Sequence, residues 1–152
     1  MHSILRFLPT MEMALIASCS MRLPMREFVP ASPLVRHLGI ELVDLELDRA
    51  RLRLPFSQAI ATMGDVVHGG AISALVDTAA MAAAWATDDI PAELRGTTVG
   101  LTVDFLAAAR GSDLDATARV VRRGGSLCFC DVEVAGSDGR LVAKALVTYK
   151  LG

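Results

Sequence analysis

Aromatic side chains are scarce. The 152 residues hold five phenylalanines, one tryptophan and one tyrosine. A core with so few rings must be filled by aliphatic side chains and alanine, and a hydrophobic content of 53% supplies them. An excess of charge of one sign is also missing. The net charge is -2, and no basic run is longer than Arg122-Arg123, which leaves no footprint for nucleic acid. Cysteine is sparse and odd in number: Cys19, Cys128 and Cys130. An odd set with two members one residue apart is not a disulfide framework. Strand geometry disfavours a bridge from i to i+2. The cysteines read as small buried hydrophobes in a reducing compartment, which places the chain in the cytoplasm. No segment approaches the roughly 20 apolar residues of a membrane span. Repeats and low-complexity stretches are absent, and the length suits one domain.

The first 20 residues stand apart. Ile16-Ala17-Ser18-Cys19 looks like a lipoprotein cleavage box. The preceding stretch has only Arg6 as a basic residue and is broken by Pro9 and Glu12, which a signal peptide would not tolerate. Residues 1–30 are expected to be a loosely attached extension, with the folded domain at 31–152. Met11, Met13, Met21 and Met25 are alternative starts.

Pro33 to Leu38 suits a short helix closed by Gly39. Ile40 to Phe56 alternates as two strands with a turn near Asp48-Arg49-Ala50, an acidic strand beside a basic one. Residues 57–69 read as a connection. A long helix then runs from about Gly70 to Ala86, with eight alanines and apolar residues nearly all round, so it is expected to be buried on most sides. After Gly96 the period becomes two. Val99, Leu101, Val103 and Phe105 are assigned to one face of a strand, and Thr98, Gly100, Thr102 and Asp104 to the other. Further strands carry Ala116 to Val120, Cys128 to Val134 and Leu141 to Tyr149, with Gly136-Ser137-Asp138-Gly139 as a hairpin turn. The order β-β-α-β-β-β-β predicts an α+β domain: an antiparallel sheet curled around one long helix.

Chemistry concentrates at His68-Gly69-Gly70, followed by Asp77 on the helix. A helix start offers free N–H groups to developing negative charge. A carboxylate on an apolar helix, with no cation near it in sequence, is a candidate for acid–base or nucleophilic work. Together they suit attack on a carbonyl. A Gly-Gly pair alone would mean only a turn, and a lone His is usually a hydrogen-bonded structural residue. His2, His37 and His68 do not have the spacing of a metal site, and no cofactor is called for.

The segment from Val67 to Ala79, the strand from Thr98 to Leu106, and the stretches Val120 to Leu127 and Asp138 to Ala145 together resemble the PaaI-type acyl-CoA thioesterase family of the hotdog fold. The resemblance implies hydrolysis of an acyl-CoA thioester. It makes Asp77 the general base or nucleophile and the Gly69 N–H the oxyanion donor, an interaction typically worth about 3–4 kcal/mol. It has Thr98 orienting the water and His68 beside the thioester, with Gly70 in the binding loop. Many relatives carry Asn six residues before the motif His; Thr62 stands there, which puts the second carbonyl donor in doubt. Gln58 has the chemistry but not the spacing. Arg122 and Arg123 are either a solvated strand end or contacts for the phosphates of coenzyme A, with Gly125 and Ser126 in the same binding turn. Met63 and Met81, with Trp85 and Phe105, are candidates for shaping the acyl pocket. The family also implies a homodimer with sites at the interface, and a dimer of dimers, hence a homotetramer. The competing function is a non-catalytic acyl-CoA sensor. A hydratase on the same fold fits the signature poorly.

Overall fold

The computed structural model describes residues 20–152. The cleavage-box motif, Cys19 and His2 lie outside them. Two helices come first, α1 (Arg22–Ala31) and α2 (Pro33–Leu38). Strands β1 (Glu41–Glu46) and β2 (Arg49–Leu54) form a hairpin. A short 3-10 turn at Gln58–Ile60 leads into a small hairpin of β3 (Ala61–Met63) and β4 (Val66–Val67). Helix α3 (Gly69–Trp85) follows, then β5 (Gly96–Phe105), β6 (Leu114–Arg123), β7 (Leu127–Gly136) and β8 (Leu141–Leu151).

The six long strands form one antiparallel sheet in the order β1-β2-β6-β7-β8-β5. Helix α3 lies against it, and their contact is the core. Leu52, Leu54, Ala116, Ala118, Val132, Val134, Ala145 and Val147 are buried on the sheet's inner face. They meet Leu75, Val76, Ala79, Ala80 and Ala83 of the helix. Alanine on both surfaces lets the helix sit close, so aliphatic packing replaces the missing rings. The expected α+β hotdog arrangement is what forms.

Three departures have local causes. Residues 22–30 of the expected extension, together with Ala31, form a helix whose Met25 and Val29, with Met21 before it, enter the core. Pro24 and Pro30 hide its i, i+4 spacing from a sequence reading. The connection at 57–69 contains the β3–β4 hairpin, turned by Gly64 at φ 58. In β5 the register slips between Thr98 and Gly100, so that Val99 bulges. Thr98 is opposite Tyr149, while Leu101, Val103 and Phe105 are opposite Val147, Ala145 and Ala143. Thr98 therefore shares the inner face with Leu101, Val103 and Phe105, not with Gly100 and Thr102 as strict alternation required.

The charge pairing on the outer face is wider than one hairpin. Arg49 meets Glu46 at 2.9 Å and Asp44 at 3.7 Å across β1–β2. Arg51 and Arg53 instead converge on Asp115 of β6 at 3.1 and 2.9 Å. The Arg53 hydrogen bond, then that from Arg51, holds the Asp115 carboxyl below the usual range. Cys128 and Cys130 are free, buried thiols, and burial pushes Cys130 up to about 12.

Candidate active site

Eleven of the 17 residues of α3 are buried. The other six are Gly69, Gly70, Ser73, Ala74, Asp77 and Met81, which follow i, i+3, i+4 spacing and so form one open stripe. The helix is thus buried on most sides, as expected, and open along this one stripe. Asp77 occupies the middle of the single strip left uncovered.

Asp77 has one hydrogen-bond partner among the described residues. The Thr98 hydroxyl donates to its Oδ1 at 2.6 Å, a length suited to a charge-assisted bond. The β5 bulge turns Thr98 inward to make this contact. None of the ion pairs among the described residues involves Asp77. Opposite Thr98 stands Tyr149, whose hydroxyl accepts a bond from Trp85 Nε1 at 3.1 Å. Burial, and to a smaller degree the charge of Asp77, raises the phenol above its ordinary range, while the Trp85 bond acts the other way. The Trp85–Tyr149 pair was not anticipated. Its signal was present in the inward alternation of β8 and in Trp85 standing two turns beyond Asp77.

At the helix start, His68 is the N-cap. Its Nδ1 accepts the Gly70 N–H at 2.8 Å. Gly70 therefore gives its N–H to the protein itself. Gly69, the first helical residue, has no acceptor for its own N–H within the helix. The ring of Phe105 stands over Gly69, where an added methyl group would meet its Cζ at 3.2 Å. Glycine at 69 keeps that approach open. His68 N–H bonds to Ile60 O at 2.8 Å, which ties the β3–β4 hairpin to the helix start. The hairpin is also fixed by Arg110 on Asp65 at 3.1 Å and by Gly111 N–H on Asp65 O at 2.9 Å.

Thr62 and Met63 lie exposed on that hairpin, Met63 at 79%. Gln58 is turned to Gly64 O at 2.7 Å. Met81 is half-buried, one turn past Asp77 on the open stripe. Arg122, Gly125 and Ser126 are exposed around the β6–β7 turn. Arg123 differs from expectation. Its guanidinium points inward to Asp48, to Ala84 O at 3.0 Å and to Cys128 Sγ at 3.1 Å. Three internal acceptors leave it committed to holding the helix C-terminus, where a cation is favoured. Of the two arginines, Arg122 remains open to solvent.

Within one chain the structure joins Asp77 to Thr98 and His68 to Gly70. It does not bring Asp77 to Gly69. The two lie eight positions apart on a straight helix, about 12 Å along its axis.

The Thioesterase superfamily model matches residues 64–143, which run from the β3–β4 turn into β8. A medium/long-chain acyl-CoA thioesterase, YigI of Salmonella typhimurium, is 30% identical over 157 aligned residues, covering 93% of this chain and all of that protein. The structure of a thioesterase family protein from Silicibacter pomeroyi superposes with a TM-score of 0.75 at 26% identity, over 83% of this chain and 93% of that one. The PaaI protein of Escherichia coli shares the fold, with a TM-score of 0.72 at 22% identity over 86% and 95% of the two chains. With its fold, its helix-borne motif and these matches in agreement, the chain belongs to the Thioesterase superfamily.

Proposed function

We propose that the protein hydrolyses acyl-CoA thioesters to a free acid and coenzyme A, with Asp77 as the general base. The observation that carries this is the Thr98–Asp77 hydrogen bond on the one open stripe of a buried helix. A hydroxyl donating to Oδ1 fixes the carboxylate plane and leaves Oδ2 free to accept from water. That water attacks the thioester carbon while Oδ2 takes its proton. The tetrahedral oxyanion is held by an N–H at a helix start. The C–S bond then breaks, and the proton passes from Asp77 to the departing thiolate.

The donor is Gly69 of the partner subunit. The separation of about 12 Å within one helix is too long for a carboxylate and an N–H that must both touch one carbonyl. An antiparallel partner helix related by a two-fold axis at Ser73, midway between them, would set each Asp77 against the other chain's Gly69. The small residues Gly70, Ser73 and Ala74 allow that approach. Edge strand β5 supports the same dimer, since a ten-residue strand with exposed Val99, Leu101 and Phe105 needs covering. Exposed Phe129 and Leu146 on the outer sheet face suit a stack of two dimers. His68 and Thr62 flank the thioester from the hairpin side, and Arg122, Gly125 and Ser126 receive the phosphates of coenzyme A. The buried free thiols agree with a reducing, cytoplasmic setting. Among the described residues no helix is long and apolar enough to cross a membrane.

The test is release of free thiol from a panel of acyl-CoAs by the wild type and by Asp77→Asn. Loss of at least about a thousandfold in kcat, with folding and assembly unchanged, is expected for the variant. Equal turnover in the two proteins would remove Asp77 from the mechanism. A ligand-induced thermal shift without thiol release from the wild type would make the protein a sensor.

A further inference from the structure

The thioester placed between Asp77 and the opposing helix start must send its acyl tail somewhere, and α3 offers only two directions. Toward its N-terminus the open stripe runs through Ser73, where the two helices would meet and leave no room for a chain. It ends at a polar helix start. Toward its C-terminus the stripe ends at Met81, and the next residue along that ridge, Trp85, is buried at 7% exposed. Asp77, Met81 and Trp85 stand at i, i+4 and i+8, one ridge of the helix. Helical side chains lean toward the N-terminus, so the indole of Trp85 covers the turn between itself and Met81.

The indole is not free to swing away. Its Nε1 is bonded to the Tyr149 hydroxyl at 3.1 Å. Tyr149 in turn is seated on Gly96, where an added methyl group would come within 2.6 Å of ring Cε1 and 2.7 Å of the hydroxyl. A flexible thioether thus comes first along the ridge, and a hydrogen-bonded aromatic pair closes it.

We propose that Trp85, braced by Tyr149, is the end stop of the acyl-chain site, and that the preferred substrates are straight-chain acyl-CoAs of medium length. This rests on the hydrolase reading above. Asp77 and Trp85 are about 12 Å apart along the axis, and at about 1.2 Å per bond of extended chain, with the indole leaning inward, a tail that spans this separation has roughly eight to ten carbons. Met81 forms the wall that the middle of the tail slides past, and its unbranched side chain adapts to tails of different width.

The experiment compares kcat/KM for acyl-CoAs from two to sixteen carbons in the wild type, Trp85→Ala and Met81→Trp. The wild type should peak near eight to ten carbons and fall beyond. Trp85→Ala should move the peak to longer chains, with about a tenfold gain at fourteen to sixteen carbons. Met81→Trp changes a half-exposed position and should fold whether or not Trp85→Ala does. It should lower kcat/KM for the eight- and ten-carbon substrates about tenfold relative to acetyl-CoA and butyryl-CoA, whatever its effect on the absolute rates. An unchanged length profile in Met81→Trp, or a wild type with no fall-off up to sixteen carbons, would overturn the end stop while leaving the hydrolase intact. No thiol release by the wild type from any chain length would instead bring down the hydrolase reading, and this inference with it.

Discussion

Thr98 donates its hydroxyl proton to Asp77 Oδ1 across 2.6 Å, from a strand that had to bulge at Val99 to face it. Hydrogen bonds to a charged group contribute about 1.5–3 kcal/mol. Thr98→Val removes the donor while keeping the shape. Its kcat should drop by roughly tenfold to a hundredfold, whereas Thr98→Ser should stay near wild type. Steady-state kinetics on one acyl-CoA decide it. Equal rates for Val and Ser would mean that the hydroxyl orients nothing.

This pair also marks the limit of what the sequence discloses. The Ala-rich helix, the short helix closed by Gly39 and the late strands were legible because their periods are clean and their ends punctuated. Asp77 stood out as the one carboxylate in an apolar run. The face of Thr98 was not legible, because a bulge adds one residue to a strand without any mark in the alternation of apolar side chains. Arg123 was misplaced for a similar reason. Two adjacent arginines look alike, and only the β6–β7 register turns one outward and the other toward Asp48, Ala84 and Cys128.

A site shared by two protomers can be rebuilt from two inactive ones. Asp77→Asn removes the base. Gly69→Pro removes the N–H at a first helical position whose φ suits proline, with the Phe105 ring giving by a few tenths of an ångström to admit the new Cβ. Each alone should be inactive, while an equal mixture refolded together should regain about a quarter of wild-type activity, since half of the dimers are hybrids with one intact site of two. No recovery in a mixture shown to contain hybrids would place the whole site within one chain.

Gly96 should resist substitution although it is exposed. A methyl group there meets the Tyr149 ring at 2.6 Å and, less forgivingly, Lys150 O at 2.9 Å. Gly96→Ala is expected to cost about 1–3 kcal/mol net of the entropy it saves. For a chain of this size that is roughly 2–4 °C of Tm per kcal/mol. A calorimetric scan showing an equal or higher Tm would refute the close packing of Tyr149 on β5.

Acid should weaken the outer face. Asp115 is held below its ordinary value of 3.8 by Arg53, then Arg51. A depressed carboxylate contributes stability above its unfolded value and loses it as pH falls through the folded one. Asp115→Asn should therefore melt about 3 °C below wild type at pH 7, and the gap should close below pH 3.8 as the wild type loses the same interaction. A gap that persists undiminished at low pH would show that the two arginines do not stabilise through charge.

Asp48, a turn residue at φ 58, does more than reverse the chain between β1 and β2. Its N–H reaches Ala86 O and its carbonyl takes the Val120 N–H, each at 2.8 Å, while its carboxylate grips Arg123. The far end of α3 is therefore tied to the sheet by backbone hydrogen bonds and an ion pair, whereas the near end rests on a small hairpin and against the Phe105 ring. The two ends of the helix are thus held unequally. Any yielding when a long thioester enters is expected at Gly69, while Asp77, midway along the helix, keeps its aim.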